Sequence, residues 1–315
     1  MKLGLLMPGQ GAQVVGMGAD FAERSSAARA LFEQADEVLG LSLSKLCFEG
    51  PIEELTRTDV AQPAIYTCSL AALAAFEELH GAIQPVAAAG LSLGEYTALT
   101  AAGALDFADG LRLVRLRGAA MQTASEALPS GMTSVMGLDR EVLDPLCAAI
   151  AKETGAICQV ANLNSPGQIV VSGENAALDV FDVRVKEAGA RRAMRLPVAG
   201  AFHSEVMRPA ANQLLAALDQ VDFRAANCPV WQNATAAAST DPAELKANLA
   251  AQLTAPVRWE ESFRNMATEF ADIPFLEPAP GRVLAGLARK IHSDAQVLNL
   301  HEADALDSLL TKIQA

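Results

Sequence analysis

Gly90-Leu91-Ser92-Leu93-Gly94 constrains this chain more than any other stretch. It reads G-x-S-x-G, the pattern of a sharp strand-to-helix turn that lifts a serine hydroxyl clear of the backbone for attack on an acyl carbon. The flanks suit that turn. Pro85-Val86-Ala87-Ala88-Ala89 is a short apolar run of the kind that forms a buried strand, and Glu95–Ala102 continues as a helix-forming segment free of proline and glycine. The two glycines predict a turn too tight for a side chain on either side of the serine. A small-residue helix start in alanine-rich sequence spells the same pentapeptide, so it is the strand before and the helix after that carry the reading.

The chain has 315 residues, 51% hydrophobic and 19% charged, which describes a globular protein with ample length for a large core. Its net charge of −13 argues against general binding to nucleic acid or to an anionic membrane. No apolar run has the length to span a bilayer, and Met1–Pro8 reads as a first strand rather than a signal peptide. The five cysteines (Cys47, Cys68, Cys147, Cys158 and Cys228) are scattered, without a C-x-x-C pair or zinc spacing. Buried thiols in a reducing compartment follow, with a cytoplasmic location and no metal site as the expectation.

Residues 1–128 alternate short apolar strands with longer helical stretches, among them Val60–Leu79 and Phe107–Ala127. The texture changes near Pro129-Ser130-Gly131. Met132–Leu138 reads as a strand, Glu141–Glu153 as a helix, and Ile157–Leu163 and Gln168–Ser172 as strands joined by the turn Asn164-Ser165-Pro166-Gly167. A helix over Asn175–Ala188 and a strand over Arg191–Val198 complete β-α-β-β-α-β, the ferredoxin-like signature. The expected fold class is α/β. A large α/β-hydrolase-like domain with a mainly parallel sheet spans 1–128 and 199–315, and a small ferredoxin-like domain is inserted at 129–198.

A serine nucleophile needs a base. Of the four histidines, His80 ends a helix before Gly81, where it suits a carbonyl cap, and His292 follows Arg289-Lys290 on a charged helix end facing solvent. His301 follows the strand-like Val297–Leu300. His203 sits in the small-residue loop Ala199–Ser204, after the inserted unit and opening the helix Glu205–Leu218, where a cleft between domains would form. Arg117 falls on the apolar stripe of its helix with Leu113, Val114, Ala120 and Met121, while Arg112 and Arg115 can reach water. Burying a guanidinium costs several kcal/mol, in round figures, unless something negative meets it. Position alone leaves two partners open: an internal carboxylate, or a carboxylate on the substrate. Pro8-Gly9-Gln10-Gly11 follows the first strand, lacks any phosphate-loop pattern, and suits the supply of N–H donors to an oxyanion.

These pieces together resemble the malonyl-CoA:acyl carrier protein transacylases of fatty-acid synthesis, a family related to the acyltransferase domains of polyketide synthases. The resemblance runs nearly end to end. It rests on Pro8–Gly11 with Gly16-Met17, Gly90–Tyr96, Arg117-Gly118, Asn162–Gln168, Gly200–Ser204, Gln252 with Pro256–Trp259, and Pro280–Leu284. It implies Ser92 as the acylated nucleophile, His203 as its base, and Gln252 as the residue whose main-chain carbonyl orients that base. It further implies an oxyanion hole from the N–H groups of Gln10 and Leu93, and a role for Arg117 in holding the malonyl carboxylate. Phe202 resembles the position that favours malonyl over methylmalonyl units, because its ring would crowd a branched α-carbon.

Two positions depart from the family pattern. Leu91 stands where the family usually has histidine, which bears on rate or acyl preference, and Glu277–Gly281 reads EPAPG in place of EVGPG. The implied reaction is a ping-pong transfer from malonyl-CoA to the phosphopantetheine thiol of acyl carrier protein, with no metal or redox cofactor, by a monomer. Because carrier proteins are acidic, the basic run Arg184, Lys186, Arg191, Arg192 and Arg195, against the single acid Glu187, is a candidate docking face, with Lys186, Arg191 and Arg192 its expected contacts. Two other classes compete. A serine hydrolase of the usual order would draw its histidine from His292 or His301. A non-catalytic carrier-binding module would not need Ser92 and His203.

Overall fold

The computed structural model describes residues 1–314, so the last residue of the expected large domain, Ala315, lies outside the described residues. Ten strands form two separate sheets. The first contains β1 (Lys2–Met7), β2 (Gln84–Gly90), β7 (Val230–Trp231), β8 (Ala238–Ser239), β9 (Phe275–Pro278) and β10 (Val297–Leu300). Its order is β10-β9-β1-β2-β7-β8, parallel throughout except for the antiparallel β7–β8 pair. β1 is buried along Leu3–Met7, as a near-continuous apolar run must be when strands flank it on both edges and helices cover both faces. Thr58–His80 is the longest helix. It is buried at every position from Thr58 to Leu73, and its run of small residues lets neighbouring elements approach from several sides.

The second sheet takes its strands from one contiguous stretch: β3 (Ser130–Met136), β4 (Cys158–Ser165), β5 (Gln168–Glu174) and β6 (Arg192–Arg195). The order is β4-β5-β3-β6 with every pair antiparallel. The helices Arg140–Thr154 and Asn175–Glu187 pack on it around an apolar cluster of its own that includes Val135, Leu143, Ile150, Val171 and Phe181. The expected elements therefore occur in the expected order, with no end shifted by more than three residues. Backbone bonds tie β4 to the first unit: Leu163 donates to the Val257 carbonyl at 2.9 Å, and Val257 donates to that of Ala161 at 2.8 Å.

Four expectations need correction. The closing strand covers only Arg192–Arg195, not Arg191–Val198. His203 does not open an α-helix directly. A 3-10 turn, Glu205–Met207, intervenes, and the α-helix begins at Arg208 because Pro209, lacking an N–H, fits only a first turn. Arg115 is half-buried rather than solvated, and bonds the Asp59 carboxylate at 2.9 Å. His292 is likewise half-buried at its helix end. No helix among the described residues is long and apolar enough to cross a membrane.

Candidate active site

Met7 and Gly90 are register partners at the carboxyl ends of β1 and β2. The chains leaving them therefore start side by side, where open parallel sheets place ligand loops. Close packing makes glycine obligatory at both ends of this elbow. A Cβ on Gly90 would lie 1.9 Å from the Gly94 carbonyl carbon, and one on Gly94 would lie 2.1 Å from the Met7 oxygen. Ser92 sits between them at φ 54°, left-handed backbone that presents its hydroxyl outward. The Pro8–Gly11 loop rests directly on this turn, since a Cβ on Gly9 would fall 2.4 Å from the Leu91 carbonyl oxygen.

His203 meets the serine from the other side, 2.7 Å from its Nε2 to Ser92 Oγ. Its Nδ1 lies 3.0 Å from the main-chain oxygen of Gln252. A carbonyl only accepts, so Nδ1 carries the proton and Nε2 is left as the acceptor facing the serine hydroxyl. Only 3% of the His203 surface is exposed. Burial, reinforced by the Arg117 charge, pulls its pKa from the usual 6.5 down to about 3, so the imidazole stands neutral and ready to take a proton.

Arg117 projects from the helix Phe107–Ala127 with 1% exposure. Among the described residues no carboxylate touches it, so the internal salt bridge left open by the sequence is absent. Its guanidinium instead donates to Gln62 Oε1 at 2.8 Å, to Gln252 Oε1 at 3.0 Å and to Ser92 Oγ at 3.0 Å, lies 5.6 Å from the centre of the Tyr96 ring, and leaves Nε without a partner. Hydrogen bonds to a charged group contribute about 1.5–3 kcal/mol each, enough to offset part of the burial cost. What remains is a buried cation beside Ser92 with no anion in contact among the described residues, and burial lowers its pKa.

The N–H groups of Gln10 and Leu93 donate to no acceptor among the described residues. A cavity of about 710 Å³ opens over this group, lined by the loops that leave β1 and β2 and by strands of the second sheet, including Gln10, Leu91, Asn162 and Phe202 beside Ser92 and His203. Leu91 packs against the apolar cluster that contains Trp231, Val257 and Trp259. Among the described residues no cluster of three or more acidic, His or Cys side chains could hold a metal. His301 and His292 take no part in the site. His301 bonds Arg282, and His80 packs on Phe76 near Asp307.

Lys186, Arg191 and Arg192 lie outside the cavity. All three are exposed without a carboxylate partner among the described residues, whereas Arg184 is held by Glu153 at 2.6 Å and Arg195 by Asp179 at 2.8 Å. Lys290, from the first unit, bonds Gln168 of β5 at 3.1 Å, one strand from the Met136–Arg192 pair. The sequence reading missed Lys290, and also Gln62, Glu95, Gln232 and Asn233, which surround Ser92 and its partners. For the last four the one signal is polarity in otherwise apolar, buried segments.

The chain matches the family described as acyl transferase domain over residues 5–303. It belongs to that family. This acyltransferase is 43% identical over 306 residues to the malonyl CoA-acyl carrier protein transacylase of Bacillus subtilis (strain 168), covering 97% of this chain and 95% of the relative. The protein of the same name from Escherichia coli (strain K12) is 37% identical over 312 residues, covering 98% and 99%. Among solved structures, the acyl-carrier-protein-S-malonyltransferase of Bartonella henselae aligns over 100% of both chains with a TM-score of 0.92 at 37% identity. A malonyl-transacylase solved in complex with a type II polyketide acyl-carrier protein aligns over 99% of this chain and 100% of its own with a TM-score of 0.91 at 36% identity.

Proposed function

We propose that this acyltransferase moves a malonyl group from malonyl-CoA to the phosphopantetheine thiol of acyl carrier protein in fatty-acid synthesis, through a malonyl ester on Ser92. One observation carries the substrate assignment. A malonyl carboxylate sits one carbon from the acyl carbon, so its counter-charge must lie close to the nucleophile. The Arg117 guanidinium is 3.0 Å from Ser92 Oγ and meets no carboxylate among the described residues. Fold, site and relatives agree with this reading.

In the first half-reaction His203 Nε2 takes the Ser92 proton as Oγ bonds the thioester carbon. The oxyanion of the tetrahedral intermediate accepts from the N–H groups of Gln10 and Leu93, which donate to no acceptor among the described residues. The intermediate collapses by breaking the C–S bond, and the coenzyme A thiolate recovers the proton from His203. In the second half-reaction His203 takes a proton from the pantetheine thiol, sulfur attacks the Ser92 ester, and Oγ leaves with that proton. Gln252 holds the imidazole tautomer through its carbonyl. Phe202 crowds the α-carbon and disfavours a methyl branch. Leu91 gives the site an apolar wall where relatives of the family usually carry histidine.

In this reading residues 129–198 form a ferredoxin-like domain inserted into a hydrolase-like one spanning 1–128 and 199–315, supported by the separate sheet and core of the stretch. Lys186, Arg191 and Arg192, joined by Lys290, attract the acidic carrier protein to the rim between the two. The protein works as a cytoplasmic monomer. The deciding experiment follows the malonyl ester after excess malonyl-CoA is removed. It should discharge onto carrier protein or free pantetheine much faster than onto water; hydrolysis at the same rate without a thiol would assign a hydrolase instead.

A further inference from the structure

Glu95 lies one turn past Ser92, on the helix Gly94–Ala101, with none of its surface exposed. A buried carboxylate is costly to enclose, so its partners carry information. It has three, and all are donors. The Asn233 backbone N–H at 2.9 Å and the Gln252 amide at 2.8 Å reach Oε2, and the Gln232 amide reaches Oε1 at 3.2 Å. Burial raises its pKa, and donors on both oxygens favour the ionised form and offset part of that rise.

No cation touches Glu95 and no carboxylate touches Arg117 among the described residues; one amide stands between them. Gln252 Nε2 donates to Glu95 and, at 2.9 Å, to the Ser92 carbonyl, while its Oε1 accepts from Arg117. A carboxylate only accepts and a guanidinium only donates, so this amide has a single orientation. The carbonyl of the same Gln252 receives Nδ1 of His203. Asn233, whose N–H lies on Glu95, uses its side chain to accept from Ser92 N–H at 2.7 Å and to donate to the Gly90 carbonyl at 2.7 Å.

We infer that Glu95 is a positioning residue for acyl transfer, fixing Gln252 and Asn233 and through them the aim of His203, the strained backbone of Ser92 and the resting place of Arg117. In a triad the acid touches the imidazole. Here the acid acts at one remove, through an amide that also spaces it from the substrate-binding cation. The inference rests on the reading of Ser92 as the acyl acceptor.

The test is single-turnover malonylation of the full-length protein, followed by quench and intact mass, for wild type, Glu95→Gln, Gln252→Ala and the double variant. Glu95→Gln should load at least about tenfold more slowly, with half-saturation by malonyl-CoA within about threefold of wild type. The double variant should be no more than about threefold slower than the slower single, because both changes cut the same link. Wild-type loading by Glu95→Gln, or losses that multiply in the double variant, would overturn the inference. If Glu95→Gln does not fold, Glu95→Asp keeps the charge but withdraws it by one methylene. It should load at least about fivefold more slowly, and loading at the wild-type rate would overturn the inference equally. A wild type that loads while Glu95 is indifferent sinks this inference alone; a wild type that never loads sinks the proposed function.

Discussion

Ser92 and His203 meet at 2.7 Å, Oγ to Nε2, and both hold left-handed backbone conformations, at φ 54° and 55°. Each such residue costs about 1–3 kcal/mol outside glycine, and persists only where its surroundings over-determine it. For Ser92 those surroundings are the close-packed glycines and Asn233. For His203 they are the Gln252 carbonyl and the Ser204 hydroxyl, which accepts from Val206 N–H as the following turn begins.

Asn233→Ala removes the side chain that satisfies both Ser92 N–H and the Gly90 carbonyl. Leaving buried backbone groups unpaired costs about 1–3 kcal/mol. The variant should unfold at lower denaturant with an unchanged m-value, and Ser92 should acylate more slowly even where the protein is fully folded. Chemical denaturation with parallel loading kinetics checks both.

Acid should inactivate the first half-reaction only far below the usual histidine range. The His203 pKa is about 3 in the free site, so kcat/KM for malonyl-CoA should stay level down to about pH 5. A malonyl carboxylate on Arg117 cancels part of the charge that depresses His203, so the acid limb of kcat should lie above that of kcat/KM. The stability sign follows from the same shift. Folded protein binds fewer protons at His203 than unfolded chain, so this contribution is full above pH 6.5 and is lost as pH falls through about 3. A kcat/KM limb near 6.5 would contradict the account.

Arg117→Ala should slow malonyl loading by about 10–100-fold, the worth of about 1.5–3 kcal/mol of hydrogen bonding to a charge. Acetyl-CoA, which has no carboxylate to clamp, should lose less, so the ratio of the two rates reports the clamp. An unchanged ratio would remove that role.

The sequence made the fold order legible because each element is a local pattern: an apolar run, a helical stretch, a glycine or proline break. Ser92 and His203 were legible as candidates for a related reason, since each sits in a short motif at a chain turn, whereas Gln252 followed only from the family resemblance. Arg117 was half legible. Its helical stripe said it was buried, but only tertiary contacts could decide between an internal carboxylate and none. Glu95, Asn233, Gln232 and Gln62 were not legible, because they come from separate segments whose shared purpose exists only once the chain is folded. The helix after His203 starts later than its apolar pattern predicts because Pro209 fits only a first turn, and a 3-10 turn fills the interval.

Reversing charge at Arg191 and Arg192 together should raise KM for acyl carrier protein about tenfold or more, and flatten its dependence on salt. Loading from malonyl-CoA should not change, since both residues lie outside the cavity. Steady-state kinetics at two ionic strengths with each substrate varied in turn separate these effects. Unchanged carrier-protein kinetics would remove this face from the docking surface.

The central claim is that Ser92 accepts a malonyl group. Intact-mass measurement after brief mixing with malonyl-CoA tests it most directly, with Ser92→Ala as the control. Wild-type protein should gain one malonyl adduct that maps to the Gly90–Gly94 peptide, and Ser92→Ala should gain none. An adduct that persists on Ser92→Ala would contradict the account.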